Sequence, residues 1–182
     1  MILTALQGKL VGNQVDMEMF TGVGFQQNGA KTFKLHDTQL TVVKQFEFVH
    51  ALQTMAVIVR DASGSHHAFC KGSYERIKQR LDASSIPSDY DAVCAGLAKA
   101  GAYVLAIAGK SIEAQGNVQE MKREDVECEL SLLGLLVFQN NIKESSPLAF
   151  KIIAGAGIDC KIITGDNAFT AVVSHIFSPN RL

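Results

Sequence analysis

FEFVHALQTMAVIVRDASGSHHAFCKGSYE, residues 46–75, is the stretch on which the reading of the whole chain turns. Two apolar runs, Met55–Val59 and Ala68–Cys70, bracket the turn-rich Asp61–Ser65, and the second run leads straight into Lys71-Gly72. Turn residues between two apolar runs predict a β-hairpin. This one would carry a lysine at the end of a buried strand. The glycine after it leaves no side chain beside the ammonium, so an anionic group can approach both the charge and the backbone. Phe46 and Phe48 are two apart, which on a regular strand puts both rings on one face, open to a planar ligand.

Upstream, Leu40, Val42, Phe46 and Phe48 oppose Thr41, Gln45 and Glu47 with the period of a half-buried strand, broken by Val43 and Lys44. The next strand, about Gln53 to Arg60, is apolar on both faces and belongs at the centre of an antiparallel sheet. Further back, Asn13 can cap a helix running to Phe20, with Asp16 and Glu18 near its positive end. Gly22-Val23-Gly24 opens like a dinucleotide fingerprint, but the third glycine and the following helix are missing, so it reads as a loop. His66 and His67 fall in the hairpin turn with no partner at metal-ligand spacing.

Downstream, Gly72–Arg80 is rich in helix formers. Ser88 with Asp91 resembles a capping box, opening a helix with Tyr90, Val93, Cys94 and Leu97 on its apolar face and a stop at Gly101. Tyr103–Ala108 reads as a buried strand, and after the charged Lys122–Glu129 Leu130–Phe138 reads as a strand. Ser146-Pro147 opens a helix carrying Leu148, Ile152 and Ile153, with Gly155 or Gly157 past its end. Cys160–Ile163 would be a short buried strand, followed by the loop Thr164-Gly165-Asp166-Asn167 and another helix. In parallel α/β sheets such loops gather phosphates at helix N-termini. The expected fold class is therefore α+β: an antiparallel sheet flanked by helices over residues 1–139, then an incomplete parallel α/β fragment over 140–182.

Composition narrows the function. With 47% hydrophobic and 19% charged residues in 182, this is an ordinary globular composition. A formal net charge of −1 supplies no basic excess for nucleic acid, which is set aside as a partner. No apolar run reaches the roughly 18 residues that span a bilayer, and the N-terminus lacks a signal-peptide pattern, so a soluble chain is expected. The cysteines at 70, 94, 128 and 160 form no C-x-x-C pair, which suits reduced thiols in the cytosol.

The motif F-x-F-x-x-x-L-Q-x-M followed by K-G-x-x-E, with LTVVKQF before it and GLLVFQNNIK and ITGDN after, resembles the nucleotide-binding domain of P-type ATPases and the start of their phosphorylation domain. The likeness runs from about Gly8 to about Ile176 and is strongest to the P5B subgroup, endolysosomal pumps of cations or polyamines. It implies a cytoplasmic headpiece that binds ATP, with Mg2+ arriving on the nucleotide. Its partners would be the phosphorylation, actuator and transmembrane domains of a parent pump.

The resemblance also assigns residues. The stacking ring lies seven residues before the methionine of L-Q-x-M, hence Phe48. Lys71 and Gly72 line the pocket, His50 and Gln53 flank it, and Asp16 takes the place of the carboxylate in G-D-P-x-E, here Gly12-Asn13-Gln14-Val15-Asp16. Lys143 keeps the charge of a hinge that carries D-P-P-R in many pumps, with Asn140 in place of its carboxylate. Thr164, Gly165 and Asp166 form the phosphate loop. Tyr103 stands where the family's R-x-L-A-x-A has its phosphate-binding arginine. Neither D-K-T-G-T, which holds the phosphorylated aspartate, nor the G-D-G-x-N-D magnesium loop occurs in the chain, so it is expected to bind ATP without turning it over. The alternative is an adenine-nucleotide sensor or interaction module of the same fold without chemistry.

Overall fold

The structure, a computed structural model, describes residues 3–6, 9–29, 31–113, 117–139 and 143–161. The chain divides into two compact units, 1–86 with 106–134 and 87–105 with 135–182. Its strands are β1 (Leu3–Leu6), β2 (Lys9–Gly12), β3 (Gln26–Gln27), β4 (Thr32–Leu35), β5 (Thr38–Val49), β6 (Thr54–Arg60), β7 (His66–Ser73), β8 (Tyr103–Ile112) and β9 (Ser131–Phe138). Its helices are α1 (Gln14–Val23), α2 (Tyr74–Lys78), α3 (Tyr90–Lys99), α4 (Arg123–Val126) and α5 (Ser145–Gly155). β1 and β2 pair as a separate two-stranded ribbon. β3 to β9 form one seven-stranded antiparallel sheet in which spatial order follows chain order. This is the α+β architecture expected, with the apolar strand β6 at its centre.

Cross-strand pairs share a face of a sheet, so the register sorts the side chains. Val42, Gln45, Met55, Val57, Val59, Phe69 and Lys71 fall on one face through the pairs Val42↔Val59, Gln45↔Val57, Val57↔Phe69 and Met55↔Lys71. Lys44, Phe46, Thr54, Ala56, Ile58, Ala68, Cys70 and Gly72 fall on the other. The core lies on both, with Met55, Ala56, Ile58, Val59, Ala68 and Cys70 all buried.

Several boundaries differ from the sequence reading. α1 runs past Phe20 to Val23 and ends on Gly24, which at φ 80° takes the left-handed conformation that closes a helix. The apparent fingerprint at 22–24 is thus a helix terminus rather than a loop. His66 and His67 belong to β7, because the turn closes earlier, where Asp61 Oδ1 accepts from the backbone N–H groups of Ser63 and Ser65. Gly72 is in β7, and Ser73 caps the short α2 by accepting from Arg76 N–H. α3 begins at Tyr90 with no side-chain cap, and its buried side is Tyr90, Cys94 and Ala98, one every four residues, while Val93 is exposed.

α5 begins at Ser145, two residues early, with Glu144 at the cap position and Pro147 inside its first turn. Its apolar residues Leu148, Ile152 and Ile153 are exposed. Cys160 and Lys161, the described half of the expected strand at 160–163, are irregular and exposed. A single extended segment has no ladder partner among the described residues to satisfy its backbone. Ile162 and Ile163 lie outside them.

Two glycines test the packing in opposite directions. A Cβ on Gly72 would run into the carbonyl oxygen of Gln53 and lie 2.9 Å from Thr54 Cγ2. Gly96, inside α3, has nothing within 4 Å of that position. Gly72→Ala should lower stability by about 3 kcal/mol, whereas Gly96→Ala should raise it by roughly 0.5–1 kcal/mol through helix propensity. Urea midpoints at constant slope measure both.

A second prediction concerns pH. Hydrogen bonds from Ser63 and His67 hold the Asp61 carboxyl well below the ordinary carboxylate range. The folded state thus favours the ionised form. The turn's contribution is complete above the unfolded value of about 3.9 and is lost only as pH falls from there toward the depressed folded value. Carboxyl-carbon NMR at pH 3 should find Asp61 ionised, and should find it protonated there once Ser63→Ala and His67→Ala are combined.

Candidate functional site

α1 crosses the first face of the sheet. Its N-terminus is set by Asn13, whose side chain accepts from Val15 N–H at 2.9 Å. This fixes the turn that presents Asp16 to the sheet, where the residue is buried. From β7, Lys71 donates to Asp16 Oδ1, with its Nζ 4.0 Å from Met19 Sδ. Asp16 thus does more than complement a helix N-terminus: it forms a shielded ion pair with the lysine of the K-G motif. Side-chain exposures of 16% for Lys71 and 5% for Asp16 make the pair costly to break, since removing one partner strands the other in a dry site.

Phe46 and Phe48 do not share a face. The register slips between Phe46 and Val49, and this bulge breaks the alternation. Phe46 stays on the second face beneath two cations, with Lys44 Nζ 5.2 Å and the Arg123 guanidinium 5.6 Å from its ring centre. Phe48 is 53% exposed. Its ring meets His50 edge-on at 6.5 Å. Gln53 sits in the same β5–β6 turn at φ 53°, and its Oε1 accepts from Ser73 Oγ at 3.3 Å. The turn therefore gathers Phe48, His50 and Gln53, and two residues on is Met55, the cross-strand partner of Lys71.

Gly72 has a packing reason of its own, because Gln53 and Thr54 fill the space its side chain would take. Lys143 is exposed in the second unit, ahead of α5. Tyr103 packs its ring against Phe138 at 6.3 Å. Asn140, Thr164, Gly165 and Asp166 lie outside the described residues. Among the described residues, no three His, Cys, Asp or Glu side chains converge to hold a metal.

The second face carries a buried network that sequence reading missed. Glu127, 6% exposed, accepts from Thr54 Oγ1 at 2.9 Å and Arg80 Nε at 3.2 Å on Oε2, and from Arg123 Nη1 at 2.9 Å on Oε1. Beside it, burial first and then the Glu127 charge push the Cys70 thiol up to about 12, so it stays protonated and unreactive. The i, i+4 spacing of Arg123 and Glu127 was the available signal, and it looks the same as any solvated helix pair.

Comparison with known proteins fixes the class. No family model matches the chain. The chain is 30% identical over 192 residues to "Probable cation-transporting ATPase 13A4" of Gallus gallus, a match covering 93% of this chain and 16% of the relative. It is 30% identical over 193 residues to "Probable cation-transporting ATPase 13A5" of Homo sapiens, with the same shares covered. It is 34% identical over 150 residues to "Vacuolar cation-transporting ATPase YPK9" of Saccharomyces cerevisiae, covering 80% of this chain and 10% of that one. The chain belongs to the P-type ATPases. Within them its relatives are P5-type cation-transporting ATPases, and it is most like the P5B subgroup. It spans about a sixth of the length of the first of these relatives. No helix among the described residues is long and apolar enough to cross a membrane.

The ion pair yields a prediction. Lys71→Met should cost about 3 kcal/mol by leaving Asp16 buried and unpaired. The double variant Lys71→Met/Asp16→Leu should recover most of that loss. Chemical denaturation of the two single variants and the double variant gives the coupling directly.

Proposed function

We propose that residues 1–139 form an ATP-binding domain and 140–182 begin a phosphorylation domain of a P5B-type pump. The domain holds ATP, with Mg2+ on its phosphates, and brings the γ-phosphate to an aspartate outside this chain. Its work is then positioning and charge stabilisation rather than covalent chemistry. The observation that carries this reading is Phe48: a half-exposed phenylalanine on a bulged strand, at the family's adenine-stacking position, while the Phe46 ring is occupied by Lys44 and Arg123.

In this reading adenine stacks on Phe48, His50 and Gln53 border the ring, and Lys71 supplies positive charge. Asp16 holds that lysine in place until the nucleotide shares it. Lys143, Thr164, Gly165 and Asp166 are assigned to the phosphate end on resemblance. The partner is the rest of the pump, and the cargo is a cation or polyamine at an endolysosomal membrane. A nucleotide sensor of the same fold is the second reading, favoured by the Lys71–Asp16 pair, which neutralises a charge that phosphates would otherwise meet.

Titration of ATP, followed by amide NMR, tests the site. Phe48→Ala should weaken binding about tenfold or more, because stacking a base on an aromatic ring contributes roughly 1–3 kcal/mol. Phe46→Ala should instead lower stability by removing the ring under Lys44 and Arg123, with binding little changed. Equal loss of binding at both positions in folded protein rules the assignment out.

A further inference from the structure

The pairing of β5 with β4 ends at Thr41. Beyond it, the register of β5 against β6 slips twice, between Val42 and Lys44 and between Phe46 and Val49. A residue that a bulge adds drops out of the ladder, and its backbone groups need partners from elsewhere. Here one segment, residues 117–127, supplies them. At the first slip Gln119 Nε2 donates to the Val43 carbonyl at 3.0 Å. At the second, Arg123 Nη2 donates to the Glu47 carbonyl. Lys44, between the two slips, donates back to the carbonyls of Gln119 and Met121.

We propose that Arg123 is a positioning residue for the nucleotide: it fixes the bulge that presents Phe48. Its guanidinium bridges the two strands at that point. Glu47 is the residue just before the ring, and Nη1 also reaches the carbonyl of Thr54 at 3.4 Å, where β6 leaves the turn that carries His50 and Gln53. Glu127 sets the orientation, accepting from the same Nη1 at 2.9 Å while it is held in turn by Thr54 and Arg80.

A planar fork with fixed donors can hold two carbonyls and a carboxylate at once, whereas the ammonium of a lysine is a point charge on a flexible stem. Arg123 acts from the side of Phe46, over whose ring it lies, and so braces the backbone behind Phe48 rather than a ligand in front of it. The link to ATP rests on the assignment of Phe48 to adenine. The hold on the bulge does not.

Amide NMR on the whole chain, with and without ATP, tests this. Without nucleotide, Arg123→Lys should move the amides of Glu47, Phe48 and Val49 and speed their exchange with water, in a variant that still melts cooperatively. Arg80→Lys alters another partner of the same carboxylate and should leave those amides in place. Gln119→Leu should move Val43 and Lys44 while sparing Phe48, and it keeps the bulges testable if Arg123→Lys does not fold. With ATP, Arg123→Lys should weaken binding about tenfold, because unseating the stacking ring forfeits what removing it forfeits. It should cost nothing further in a Phe48→Ala background. Amides at 47–49 that stay in place in Arg123→Lys, or that move as far in Arg80→Lys, overturn the proposal. So does an additive loss of binding in the double variant, or a Gln119→Leu chain unchanged at Val43 and Lys44. If Phe48→Ala binds ATP as the unsubstituted chain does, the adenine assignment fails and the nucleotide role with it, while the nucleotide-free amides still decide whether Arg123 holds the bulge.

Discussion

The carboxylate of Glu127 is the tie on which the first unit depends. It sits away from solvent with three donors on its two oxygens, from β6, from the chain after α2, and from α4. A buried charge is tolerable only when paired and hydrogen-bonded at every lone pair that matters. Satisfying it requires Thr54, Arg80 and Arg123 to be in place at once. Those same residues fix the start of the central strand, the end of the β7–α2 segment and the cover over Phe46. The opposite face carries a different set of groups, the Asp16–Lys71 pair and the apolar side chains beside it.

The two faces hold their cations differently. Arg123 donates to Glu127, lies over the Phe46 ring, and reaches the Thr54 carbonyl at 3.4 Å, so one guanidinium braces three neighbours. Lys44 does likewise, donating to the carbonyl of Met121 at 2.7 Å beside the same ring. These cations are committed to backbone and ring contacts. Lys71 is the charge that the first face places at the end of α1.

Strands β5 to β9 were legible because their apolar runs are strong and the turn residues between β6 and β7 have a mechanism, whereas the short β1 to β4 carry no such run. β6 was readable as central from its two-sided apolarity, Tyr103 onward as a buried strand, and Leu130 onward as a strand, of which Leu133 and Val137 are exposed. Asp16 and Lys71 were legible only as separate motif positions, because residues 55 apart have no local signal that they meet. The bulge at 47–48 was invisible for a related reason: hydrophobic alternation assumes a constant two-residue period, and the extra residue shows only in the pairing with β6. The apolar residues of α5 illustrate the limit of pattern reading. Their spacing describes a face that would be buried, yet among the described residues they are exposed.

That bulge also bears on how the protein tolerates length changes. Because the fate of Phe46 and Phe48 is set by register and not by residue type, a one-residue deletion between Phe46 and Val49 would restore strict alternation to β5 from Lys44 onward. Phe46 and the ring now at 48 would become adjacent in sequence, still on opposite faces, with the pairs Phe46↔Ala56 and Val49↔Thr54 both kept. Two rings two residues apart on opposite faces are thus a spacing that only the bulge allows.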